Sequence, residues 1–97
     1  MRRAARIDAN QPEIVAALRG VGAAVQPLHT VGKGCPDLLV SHRMKTFLIE
    51  IKDGAKPPSA RRLTQDQIEW HDAWRDTVHI VETVADALRV IGMEHHA

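Results

Sequence analysis

Gly34-Cys35-Pro36-Asp37-Leu38-Leu39-Val40, followed at short range by Phe47-Leu48-Ile49-Glu50-Ile51-Lys52, decides how the rest of the chain is arranged. Both halves read as strands, because runs of Leu, Val, Ile and Phe are bounded by Gly and Pro on one side and by Asp53-Gly54 on the other. The short span between them leaves room only for a tight connection near Arg43-Met44, so the two form an antiparallel hairpin. A symmetric turn there pairs His42 with Lys45, Val40 with Phe47 and Leu38 with Ile49, which sets the Asp37 carboxylate opposite that of Glu50.

Alternation sorts the hairpin into two faces. Leu38, Val40, Phe47, Ile49 and Ile51 make a core surface; Asp37, Leu39, Ser41, Leu48, Glu50 and Lys52 fall on the other side. Like charges opposite each other in a sheet are destabilising, so paired carboxylates there call for a compensating cation. A hard divalent ion held by one or two carboxylates, waters and a substrate phosphate oxygen fits. Lys52 points the same way as Glu50, where an ammonium can orient an attacking water or stabilise charge on a phosphate.

The flanking segments supply helices and two more strands. Asn10-x-x-Glu13 reads as a capping-box opening of a first helix with Ile14, Ala17, Leu18 and Val21 as its buried stripe, ended by Gly20 and Gly22. Ala23 to His29 reads as a strand that Pro27 places at an edge or a bulge. Residues 53–63 read as a loop whose Lys56, Arg61 and Arg62 suit a clamp on phosphates. Thr64-x-x-Gln67 is a second capping box, opening a helix whose Gln67, Trp70, His71 and Trp74 share one face. Two tryptophans imply that this face packs on the sheet, with Gln67 nearest Lys52 and His71 a core histidine. Val78 to Val81 is the last strand, and Thr83 caps the last helix. The element order is α-β-β-β-α-β-α: a small mixed α/β sheet of about four strands with flanking helices.

Composition bounds the rest. A chain of 97 residues makes one domain (1–97), here with a basic N-terminal arm over 1–8 and a frayed tail over 93–97. The apolar fraction of 44% is ordinary for a globular protein, and no stretch approaches a membrane span. With no signal-peptide pattern and a single cysteine, the expected location is the cytoplasm. The net charge of +1 hides an asymmetry: residues 1–62 carry eleven basic against five acidic side chains (+6), and residues 63–97 carry two against seven (−5). The basic part surrounds Asp37, Glu50 and Lys52, as binding to a phosphate backbone requires.

Pro36-Asp37 followed by Glu50-Ile51-Lys52 resembles the PD-(D/E)XK signature of the restriction-endonuclease-like nucleases. Gly34-x-Pro36-Asp37-Leu38, Glu13 on the preceding helix and Leu63-Thr64-x-x-Gln67 narrow the resemblance to the small VRR-NUC type nucleases of viruses and bacteria, over about residues 10 to 91. Cys35 and Lys33 depart from that pattern without removing a functional group. The resemblance implies a restriction-endonuclease-like core and a divalent-metal-dependent DNA endonuclease using Mg²⁺ or Mn²⁺. Asp37, Glu50 and the backbone carbonyl of Ile51 would be metal ligands, Lys52 the group beside the attacking water, Gln67 its neighbour, and Glu13 an outer-sphere or second-metal carboxylate. Lys33, Lys56, Arg61 and Arg62 would meet the DNA. The resemblance further implies a homodimer acting on branched DNA, as Holliday junction resolvases do, in a bacterial host cell and encoded by a phage or prophage. Two alternatives stay open: an idle DNA-binding or assembly module on the same fold, and a structural protein in which Glu50 and Lys52 are a surface ion pair.

Overall fold

The computed structural model describes residues 7–75 and 77–93; most of the expected basic arm and of the tail lie outside them. The elements run α1 (Gln11–Gly20), β1 (Ala24–Pro27), β2 (Leu38–His42), β3 (Lys45–Ile51), a 3-10 turn (Pro58–Ala60), α2 (Gln65–Ala73), β4 (Val78–Val81) and α3 (Val84–Val90). The four strands form one mixed sheet in the order β1-β2-β3-β4, antiparallel except where β4 joins β3 in parallel.

The hairpin has the expected register: Leu38 pairs with Ile49, Val40 with Phe47 and His42 with Lys45. Arg43 and Met44 form the connection with φ of 51° and 67°, the left-handed pair that a two-residue turn needs to match strand twist. Buried and exposed residues alternate along β2, and Leu38, Val40, Ile49 and Ile51 are buried against Ile14 and Leu18 of α1, Val81 of β4, and Ala87 and Ile91 around α3. Each such aliphatic side chain contributes roughly 1.5–3 kcal/mol on full burial. Helices α1 and α3 therefore cover one face, and the other is left for the site.

At two helices the structure differs from the sequence expectation. Asn10 stands before α1 with helical backbone angles and makes no side-chain cap. Its Nδ2 instead donates to the carbonyls of Lys52 at 3.1 Å and Glu82 at 2.9 Å. Cross-chain acceptors at the ends of β3 and β4 have displaced the local capping box, and α1 is thereby fastened to the sheet. Helix α2 does have its capping box, since Thr64 Oγ1 accepts from the Gln67 N–H and Gln67 Oε1 accepts from the Thr64 N–H. Yet α2 has no buried residue; its tryptophans stack on each other at 4.9 Å, and Trp74 is 52% exposed. Polar contacts near its N-terminus hold this helix, not aromatic burial on the sheet.

Candidate active site

Asp37 sits just before β2 and is held from both sides. Its carbonyl accepts the Leu28 N–H at 2.7 Å, extending the β1 pairing, and its Oδ2 accepts the Ile51 N–H at 2.6 Å. Glu50 and Lys52, alternate residues at the end of β3, lie on the face opposite the core and are 2% and 8% exposed. Burial of that order is unusual for either residue type unless it is partnered, and Gln67 is the main partner. Its Oε1 accepts from Lys52 Nζ at 2.9 Å and its Nε2 donates to Glu50 Oε2 at 3.2 Å, while Lys52 Nζ lies 3.8 Å from Glu50 Oε2 and donates to the Arg62 carbonyl at 3.4 Å. One amide thus caps α2, holds the lysine and holds the glutamate.

The two carboxyls disturb each other. Burial pushes Asp37 up from the usual carboxylate range, against the lowering effect of the Ile51 N–H. Burial, and then the charge of Asp37, push Glu50 up to about 8, which Lys52 only partly opposes. Two buried carboxyls this close favour retention of a proton by the pair. Glu50 Oε1 is buried with no hydrogen-bond partner. A buried acceptor without a donor, beside a second carboxyl group, suits the binding of a cation.

Among the described residues no three His, Cys, Asp or Glu side chains gather as a metal-holding group. The donors are two carboxylates. The Ile51 N–H points to Asp37, and the N–H and C=O of a strand residue project to the same flank, so the Ile51 carbonyl lies on that side as well. Such an oxygen-only set suits an ion that keeps most of its ligands from water and phosphate, as Mg²⁺ does. Cys35 adjoins the pair; burial and both carboxylates raise its pKa, so it remains a thiol.

The fold matches a known one. A solved structure described as a VRR_NUC domain superposes with a TM-score of 0.61 at 20% identity, over 91% of this chain and all of the other. The chain has the fold of a VRR_NUC domain. No protein-family model and no curated protein matches it. On this fold Asp37, Glu50, Lys52 and Gln67 are brought together, the four residues that the sequence places near one another.

Other expected positions do not converge. Glu13 is exposed on α1, without a hydrogen bond or ion pair among the described residues. The acid of the N-terminal segment whose charge reaches both Asp37 and Glu50 is Asp8, which also pairs with Lys56 at 3.2 Å. Arg61 pairs with Glu82 at 3.4 Å, and Lys33 and Arg62 are exposed, Arg62 being next to the site through the carbonyl that accepts from Lys52 Nζ. His71 is not a core residue: its Nε2 lies 3.7 Å from Glu50 Oε1. The i, i+4 spacing of Gln67 and His71 carried that signal, outweighed by the two tryptophans on the same face. A Cβ on Gly34 would collide with the Asp66 carbonyl, so the loop leading to Asp37 rests directly on the first turn of α2. No helix among the described residues is long and apolar enough to cross a membrane.

Proposed function

We propose that this VRR_NUC-like domain is a divalent-metal-dependent endonuclease hydrolysing DNA phosphodiesters. The observation that carries the reading is the buried cluster in which Asp37, Glu50 and Lys52 meet around Gln67, with Ile51 tied to Asp37. Asp37 and Glu50 would hold Mg²⁺ or Mn²⁺ with the Ile51 carbonyl. The ion supplies positive charge that polarises the scissile phosphate and lowers the pKa of the attacking water. Lys52, fixed by Gln67, orients that water and offsets charge on the phosphate. Asp8 takes the outer position expected of Glu13. Lys33, Lys56, Arg61 and Arg62 lie on the loops that precede β2 and follow β3 and would meet the backbone of the DNA.

Branched DNA as the substrate and a homodimer as the working form belong to the same reading. Leu39, Ile80, Ile68 and Trp74 are 38%, 51%, 47% and 52% exposed; Leu39 and Ile80 lie on the sheet face that α1 and α3 leave uncovered, Ile68 on α2 and Trp74 at its C-terminal cap. That apolar surface supports association with a second copy. A phage- or prophage-encoded protein working in the bacterial cytoplasm fits such a substrate. The test is incubation of the full chain with linear, flapped and four-way DNA in Mg²⁺, Mn²⁺ or chelator, beside Asp37→Asn. Metal-dependent cleavage absent from the variant is expected. Binding without cleavage in either metal overturns the enzyme reading and leaves the idle module.

A further inference from the structure

Resting on the metal reading above, we propose that His71 is a positioning residue that orients the Glu50 carboxylate by donating from Nε2 to Oε1 when a divalent cation is held by the site. Gln67 and His71 are one helical turn apart on α2, and each is directed at a different oxygen of the same carboxylate. Gln67 Nε2 donates to Oε2 at 3.2 Å, whereas His71 Nε2 stops 3.7 Å short of Oε1. The latter two atoms are buried and both lack a hydrogen-bond partner. Two unsatisfied buried polar atoms that face each other incur a desolvation cost that a contraction to about 2.9 Å would remove.

The free protein holds Glu50 back from that contact. Its Oε2 accepts from Gln67 Nε2 and lies 3.8 Å from Lys52 Nζ, which draws the carboxylate toward the Gln67 end of α2. Ligation of a cation would hold Glu50 as a carboxylate with a lone pair beyond the one that ligates, and a charged acceptor draws a donor closer. A histidine ring can carry its N–H at Nε2, the nitrogen that faces Oε1. Direct ligation by His71 is the weaker alternative, since no three-ligand cluster forms with Asp37 and Glu50. Ligating carboxylates are commonly held by such outer hydrogen bonds.

Calorimetric titration of Mn²⁺ alone into the full chain tests the role. His71→Leu removes the donor and is expected to weaken Mn²⁺ binding about 10–100-fold, with the metal-free melting temperature equal to or above that of the wild type because a buried donor without a partner is lost. His71→Gln, whose amide nitrogen reaches the place of the ring Nε2, is expected to restore most of the affinity, and the shorter His71→Asn is not. Should His71→Leu fail to fold, the contrast between Gln and Asn carries the comparison. Wild-type affinity retained in His71→Leu, or equal loss in Gln and Asn, overturns the positioning role alone. A wild type that binds no Mn²⁺ overturns the metal reading and this inference with it.

Discussion

The Ile51 N–H donates to Asp37 Oδ2 at 2.6 Å, so the carboxylate that opens β2 is a side-chain rung closing the end of the β2–β3 hairpin. The same rung fixes where Asp37 stands relative to Glu50, one residue earlier on β3. It also sets the cost of leaving the two acids together without a cation.

Millimolar Mg²⁺ or Mn²⁺ is therefore expected to raise the melting temperature of the wild type and not that of Asp37→Asn or Glu50→Gln. A ligand at a hundredfold excess over its Kd adds about 2.7 kcal/mol, and in a domain of this size 1 kcal/mol moves Tm by about 4–8 °C. Glu50→Gln without metal is expected to match or exceed the wild type in stability. Thermal melts with and without metal check both; a wild type indifferent to metal removes the site.

The proton retained by Glu50 gives stability a pH slope of definite sign. Its pKa rises from 4.5 to about 8 on folding, so between those values the folded state binds more protons than the unfolded one and metal-free stability falls as pH rises. Urea unfolding from pH 5 to 8 is expected to show that fall in the wild type and a flatter profile in Glu50→Gln. By the same linkage, metal binding at pH 7 should release about one proton, measurable by calorimetry in buffers of different ionisation enthalpy. Zero release contradicts the proton-for-cation exchange.

Lys52→Ala is expected to lower cleavage on the order of 10²–10³-fold, as loss of one group that stabilises developing charge does. Mn²⁺ affinity should change little, because the ammonium is no ligand. Single-turnover cleavage and calorimetry on one preparation separate the two effects. Near wild-type cleavage reduces Lys52 to an ion-pair partner of Glu50.

Changing Lys56, Arg61 and Arg62 together to Ala is expected to weaken binding to linear and four-way DNA alike and to flatten the slope of log K against log salt by about 0.9 per lost phosphate contact. Lys56 and Arg61 are paired with Asp8 and Glu82 in the free protein, so DNA must displace those acids. Glu82→Gln, which frees Arg61, should accordingly tighten binding. A junction preference arising from two sites at fixed spacing should survive the loop changes and disappear in a monomer. Light scattering and competition binding report both; an unchanged salt slope removes the clamp.

What the sequence made legible follows from how local each signal is. Period-two alternation and a short connection fix hairpin register almost by themselves, so Asp37, Glu50 and Lys52 could be brought together on paper. Gln67 was reachable for a related reason, since the Thr64 capping box sets its orientation. The capping box of Asn10 and Glu13 did not form because Asn10 bonds across the fold to Lys52 and Glu82, partners 42 and 72 residues away. Asp8 and His71 matter through proximity to a site assembled by other elements. Trp70 and Trp74 misled because hydrophobicity indicates a need for cover, and stacking on each other satisfies part of it.

Helix α2 contributes Gln67 and His71 but buries no side chain in the core, so little beyond the site's own polar contacts keeps it in place. Its amides are thus expected to exchange with solvent deuterium ahead of those of β2 and β3, as the first part of the molecule to open. Each excursion would strip Glu50 and Lys52 of their amide partner while leaving the sheet intact. The observed affinity for cation or substrate would then be the intrinsic affinity scaled by the fraction of time α2 is docked, and a partner that closes over Ile68 and Trp74 would tighten a site it never touches.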